Sequence, residues 1–343
     1  MKAVRIHEYG DTSVLKYEDA PDPKADFGEV VVKVKACALN HLDLWIRKGM
    51  PKAPALPHIL GSDIAGEVAE VGPGTPDVKT GMPVLLQPAV SCGVCAQCIA
   101  GEDNLCKDYG IIGAKTLGGN AQYVKVPRVN LMPMPKGLSY AEAAAIPLVF
   151  LTAWHMLSDR ARLKPGEDLL VIGAGSGVGS AATQIGKLLG ARVIATASLD
   201  ANLAKAKELG ADDTINHASQ DIAQEVRRLT NNKGVEVVFE HVGPAVWDKC
   251  IASMAKAGRL VTCGATTGPT VQLNVTMLFG RQQSLLGSFM GTKSDLLEIL
   301  PFFSQRKLKP VVDSMFPLKD IAAAHKRLES RGQFGKVVVT PPE

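Results

Sequence analysis

Between Glu167 and Leu189 the chain passes from an apolar strand, Leu169-Leu170-Val171-Ile172, through a turn crowded with Gly173, Gly175, Gly177 and Gly179, into a helical pattern. Val178, Ala181, Ala182, Ile185, Leu188 and Leu189 recur at helical spacing and predict one buried face. Glycine suits such a turn because the backbone must bend sharply and come close to a ligand, while the first amides and the dipole of the helix attract negative charge. An ordinary strand-to-helix turn has the same elements. The small residues ahead of a periodic helix favour a pyrophosphate site instead.

Strands and helices keep alternating after that turn. Residues 191–196, 214–215, 235–240, 259–263 and 284–287 read as strands, with helices near 201–209, 222–229 and 246–254. Six strands with helical crossovers predict an α/β unit built on a doubly wound parallel sheet. The first third reads differently: 30–36, 66–72, 81–86 and 121–126 are short strands separated by Gly and Pro turns, as in a small β-rich barrel. A chain of 343 residues can bury two such cores. From Ser288 onward, helices near 295–303 and 321–329 and a last strand at 336–340 either extend the second domain or return to the first.

Apolar residues at 46% and charged residues at 21% describe an ordinary globular protein. A net charge of +4, spread along the chain, predicts no nucleic-acid partner and no membrane partner. The first residues lack the apolar core of a signal peptide, so a cytoplasmic location is expected.

Four of the seven cysteines, Cys92, Cys95, Cys98 and Cys106, stand in C-x2-C-x2-C-x7-C spacing. Four thiolates so close in sequence can close a tetrahedron around Zn²⁺ with no open position, which is a structural rather than a catalytic site. An iron–sulfur cluster is the competing occupant, and the loop context favours zinc. Cys37, Cys250 and Cys263 stand alone among apolar residues and read as reduced core thiols.

The order of β-rich domain, four-cysteine lobe, nucleotide-binding half and C-terminal strand resembles the medium-chain dehydrogenase/reductase superfamily, the zinc alcohol dehydrogenase and quinone oxidoreductase group. Leu60-Gly61-Ser62-Asp63-Ile64-Ala65-Gly66, residues 174–179 and Phe334-Gly335-Lys336-Val337-Val338 carry the likeness. It implies a GroES-like domain at 1–150, a Rossmann domain at 151–287 and a return to the first domain at 288–343. It also implies a homo-dimer or homo-tetramer, with 284–287 suited to a dimer interface. In its register Ala174, Ser176 and Gly179 fill the fingerprint positions, so Ala174, Gly175, Ser176, Gly177, Val178 and Gly179 form the cofactor loop.

Alcohol-oxidising members of that family hold a second, catalytic zinc. Its three ligand positions fall here on Asn40, Ser62 and Leu148, with Asp63 beside the second. Neutral Asn, Ser and Leu are poor zinc ligands, which closes the Lewis-acid route. A displaced site built from His41, His58 and Asp63 is the alternative, and His41 fits better as a hydrogen-bond partner of backbone or of the cofactor phosphates. The pattern Leu39-Asn40-x-x-Asp43 with Gly61-Ser62-Asp63 resembles the zinc-free quinone and enone reductases of the superfamily, although their relatives of this type mostly lack the cysteine lobe.

The resemblance therefore implies an NAD(P)H-dependent oxidoreductase that transfers hydride to a quinone or an α,β-unsaturated carbonyl, a small-molecule substrate. Asn40, Ser62 and Asp63 are the candidate catalytic residues. A zinc alcohol dehydrogenase with unusual ligands and a nucleotide-bound scaffold are the other readings. No acid follows the second strand of the nucleotide half, where Thr196-Ala197-Ser198 stands. Ser198 can donate to a 2′-phosphate, so NADP(H) is expected ahead of NAD(H), with Asp200 and Asn202 limiting the preference.

Overall fold

The computed structural model describes residues 1–50 and 53–342. The chain forms two compact units, Met1–Leu148 with the segment from Thr292 onward, and Val149–Gly291. The polypeptide thus leaves its first unit once and comes back to it.

The unit Val149–Gly291 holds a six-stranded parallel sheet in the order Asp213–Asn216, Arg192–Ala197, Asp168–Val171, Val235–Glu240, Met254–Thr262, Ser284–Gly287. Leu169 sits between Val193 and Val237, and the central strands are buried on both faces, as β-branched and leucine runs in a covered parallel sheet must be. Ile172, Ile194, Ile215, Val238 and Leu260 share this core. Each such side chain, fully buried, stabilises the fold by about 1.5–3 kcal/mol.

The helix Gly177–Leu188 packs on this sheet by a face shifted from the one its apolar residues predict. Gly179, Thr183 and Gly186 are buried, whereas Val178, Leu188 and Leu189 are only partly so. Small residues decide this. A Cβ on Gly186 would lie 2.5 Å from a Leu169 methyl and 2.9 Å from a Val193 methyl, so the helix seats where its surface is flattest.

In the other unit, a seven-stranded sheet runs Leu131–Pro133, Pro83–Leu86, Asp63–Val71, Glu29–Ala38, Lys336–Thr340, Val312–Pro317, with Tyr123–Pro127 also paired to Glu29–Ala38. The final strand therefore joins the first unit. Val338 pairs with Ala38 and Val339 with Cys37 in antiparallel register. Continued by one pair on each strand, past Leu39 N–H on the Val337 carbonyl, this register puts Lys336 opposite Asn40. On the other side Ala38 pairs with Asp63.

Several elements are absent from the sequence reading, among them the strands Lys2–Ile6, Lys16–Asp19 and Leu131–Pro133 and the short helix Ala96–Ile99. Helices form at His41–Arg47 and Val275–Gly280, and Val312–Pro317 is an edge strand where Pro310 suggests a loop. The helix Pro147–Trp154 continues in π-helical turns over His155–Arg160. No helix among the described residues is long and apolar enough to cross a membrane.

Candidate active site and metal lobe

Asn40 ends the extended approach from Glu29–Ala38 and opens the helix His41–Arg47. Its backbone N–H donates to Asp43 Oδ2 at 2.7 Å, one half of a capping box. The other Asp43 oxygen accepts the Gly61 N–H at 3.0 Å. Asp43 is fully buried, and burial raises its carboxyl to about 6, against the pull of the Asn40 and Gly61 amides and of the Lys336 charge.

The side chain of Asn40 is held at both ends. Its Nδ2 donates to Asp63 Oδ2 at 3.0 Å, and its Oδ1 accepts from Lys336 Nζ. Lys336 Nζ also lies 2.8 Å from Asp63 Oδ2, with the two side chains 4% and 0% exposed. The second Asp63 oxygen accepts the Leu148 N–H at 2.8 Å. A carboxylate and an ammonium so buried need each other and these hydrogen bonds to offset the cost of leaving water. One donor and one acceptor also fix which end of the Asn40 amide points where.

Of the three positions where a catalytic zinc would find ligands, Asn40 and Leu148 are thus joined through Asp63 and Lys336. Ser62, between Gly61 and Asp63, is buried, and its Oγ has no hydrogen-bond partner among the described residues. His58 is buried and donates from Nε2 to the Gly113 carbonyl at 3.1 Å, with burial lowering its pKa. His41 is half-buried in the first turn of its helix, its ring 6.3 Å from that of Trp45. Phe150 is core, whereas Phe279 and Phe289 are exposed.

In the nucleotide unit the turn after Asp168–Val171 is pinned from below. Ala174 N–H donates to the Thr196 carbonyl at 2.8 Å and Gly173 N–H to Thr196 Oγ1 at 3.2 Å. Ser176 caps the helix, its Oγ accepting the Gly179 N–H at 2.9 Å and lying 3.2 Å from His241 Nε2. Gly173 has φ +65°, the left-handed region glycine tolerates. A Cβ on Gly179 would meet the Gly173 carbonyl oxygen at 2.3 Å, so only glycine lets the helix start against the turn. Gly177 and Val178 stand in the first turn, where amides have no acceptor inside the helix. Ser198 is exposed just past the strand Arg192–Ala197, and Asp200 accepts from Asn216 Nδ2 at 2.6 Å.

The four-cysteine lobe brings its sulfurs within 4.8 Å of one another, the one grouping of three or more potential metal donors among the described residues. Cys92 and Cys98 are 3.9 Å apart, Cys95 and Cys98 3.6 Å, Cys92 and Cys106 3.5 Å. A tetrahedron with Zn–S bonds of about 2.3 Å has sulfurs about 3.8 Å apart, so the donor set fits zinc. The N–H groups of Cys92 and Asp108 donate to the Cys106 sulfur, and those of Val94 and Cys95 draw the Cys92 thiol down to about 6. Of the lone cysteines, Cys37 and Cys250 are buried and Cys263 half-buried, all with free thiols.

Lys336, Asp43, Thr196 and His241 are not singled out as site residues in the sequence. Lys336 lies in the quoted Phe334-Gly335-Lys336 run and Asp43 in the Asn40-x-x-Asp43 pattern, yet neither carries a mark of burial.

Two family descriptions match the chain: the alcohol dehydrogenase GroES-like domain over residues 26–136 and the zinc-binding dehydrogenase domain over residues 177–305. An NAD-dependent alcohol dehydrogenase of Sulfolobus acidocaldarius is 31% identical, over 99% of each chain. A human quinone oxidoreductase is 27% identical, over 99% of this chain and 97% of its own. A crystal structure of an NAD-dependent alcohol dehydrogenase superposes with a TM-score of 0.96 at 49% identity, over 99% of each chain.

Proposed function

Since this chain belongs to the medium-chain dehydrogenase/reductase family of zinc-type alcohol dehydrogenases and quinone oxidoreductases, and is an NAD(P)-dependent oxidoreductase, we propose that it reduces a quinone or an α,β-unsaturated carbonyl without a catalytic zinc. One observation carries the reading. The charged centre that ties Asn40 to Leu148 is the Lys336 ammonium paired with Asp63, and none of Asn40, Ser62 and Leu148 offers a thiolate or an imidazole.

Residues 174–179 would hold a nicotinamide cofactor, which when bound would supply the hydride. A conjugated acceptor takes it without a Lewis acid, because its own π-system carries the charge to oxygen. The protein then needs hydrogen-bond donors held at that oxygen and a site closed to water. Asn40 keeps a second Nδ2 hydrogen beyond the one given to Asp63, and Ser62 Oγ–H has no partner among the described residues. These two are the proposed oxyanion donors. Asp63 and Lys336 hold Asn40 in the orientation that presents nitrogen rather than oxygen.

The cysteine lobe is proposed as a purely structural zinc site, and the loop 174–179 as the pyrophosphate cradle, with His41 as a further phosphate contact. Ser198, without an acid beside it on Arg192–Ala197, supports NADP(H) ahead of NAD(H). Ser284–Gly287 is the outermost strand of its sheet and fits a second copy in a homo-dimer or homo-tetramer.

Oxidation of NADPH and NADH followed by absorbance, with a quinone, a conjugated enone and simple alcohols in the reverse direction, tests the reading. Turnover is expected with the conjugated acceptors and little or none with the alcohols. The names of the alcohol dehydrogenase relatives favour the second reading, a zinc alcohol dehydrogenase with unusual ligands, and dominant alcohol oxidation abolished by chelation would establish that instead.

A further inference from the structure

The metal lobe is closed by a residue far from it in sequence. Lys293 opens the helix Lys293–Ser304, immediately after the chain re-enters its first unit at Thr292. Thr292 caps that helix, bonded reciprocally with Asp295, so the position of Lys293 is fixed by the fold. Its backbone N–H donates to Asp103 Oδ1 at 3.0 Å, and its Nζ donates to Asp103 Oδ2 at 2.6 Å and to Ser91 Oγ at 3.1 Å. Asp103 is buried and meets the helix where its dipole and free amides favour a carboxylate.

Ser91 precedes Cys92, and Asp103 stands shortly before Cys106. One ammonium therefore bridges the entrance and the exit of the four-cysteine loop. Ser91 is bonded directly to Cys92, whose sulfur lies 3.9 Å from that of Cys98 and 3.5 Å from that of Cys106. With Nζ donating to Ser91 Oγ, the residue that leads into Cys92 is held, so the chain of contacts runs Asp103, Lys293, Ser91 and on through the backbone to Cys92.

We propose that Lys293 is a positioning residue for the metal lobe, which retains its zinc through the Asp103–Lys293–Ser91 chain supplied in part by the returning C-terminal segment. Residues that orient metal ligands from behind commonly govern affinity as strongly as a ligand's geometry does. These contacts lie in the lobe alone and are independent of the substrate of the enzyme.

The test is competition for zinc between the purified full chain and a chromophoric chelator. Apparent zinc affinity is expected to fall about 10–100-fold in Lys293→Met, to fall in Ser91→Ala as well, and to be largely restored in Lys293→Arg. Cobalt substituted into the lobe gives a second readout, because cysteine ligands that are no longer held in place shift the sulfur-to-cobalt charge-transfer bands in Ser91→Ala and Lys293→Met. Ser91→Ala keeps the Lys293–Asp103 pair, so it serves if Lys293→Met does not fold. Unchanged zinc affinity and cobalt spectra in these variants, even with a lowered melting temperature, would overturn the proposal, as would a chain that binds no zinc.

Discussion

Lys336 and Asp63 stand far apart in sequence, yet the ammonium of one lies 2.8 Å from the carboxylate of the other, both side chains buried. Removing one charge leaves the other buried without a partner, which costs more than the pair itself contributes. Lys336→Met is expected to lower the unfolding free energy by about 3–5 kcal/mol in urea titrations. Adding Asp63→Asn should recover part of that loss, because a neutral amide can still accept the Leu148 N–H. A loss in Lys336→Met no larger than for an exposed lysine would contradict the pairing.

Gly179 is tested by a single methyl group. Gly179→Ala puts a Cβ against the Gly173 carbonyl and the Ala174 Cα, both backbone atoms that have no other place to go. The helix must back away from the turn, at a cost of about 1–3 kcal/mol as for other overpacked sites. Titration of NADPH by its fluorescence should show affinity reduced by about tenfold or more, since 1.4 kcal/mol is already tenfold. Equal affinity in the variant would remove this turn from the cofactor site.

His325 gives a pH signature. Arg47 Nη1 lies 3.1 Å from His325 Nδ1, so that nitrogen is the acceptor and the neutral ring carries its proton on Nε2. Burial first, then the Arg47 charge, lowers the ring's pKa to about 3 from an ordinary value of 6.5. The unfolded chain takes up this proton first as the pH falls. The contribution of the neutral ring is therefore complete above pH 6.5 and is lost between there and about 3, with a slope of about 1.4 kcal/mol per pH unit. His325→Gln, which keeps an acceptor for Arg47 without a titrating group, should flatten unfolding free energy against pH by that slope. An unchanged slope would assign it to other groups.

Local chemistry made much of this molecule legible. The strands Ser284–Gly287 and Lys336–Thr340 and the helix Ile321–Glu329 are readable from apolar spacing, and the cysteine spacing indicates a compact donor set. The helix His41–Arg47 escapes because its start is polar and its length is two turns, too short for periodicity to speak. Val312–Pro317 escapes because Asp313 and Ser314 interrupt the apolar pattern, which an edge strand tolerates. Lys336 is the larger omission. A lysine in a strand reads as solvent-facing, and only the pairing of the last strand with Glu29–Ala38 brings it onto Asn40 and Asp63. Sequence spacing carries no trace of such a contact.

Zinc content, measured on active enzyme by elemental analysis, tests the central claim most directly. The account predicts one zinc per chain in the wild type, none once Cys92 and Cys95 are both replaced by serine, and reduction of a quinone or enone by the one-zinc protein. Two zincs per chain, with one retained in the cysteine variant and activity lost when that ion is chelated, would contradict it.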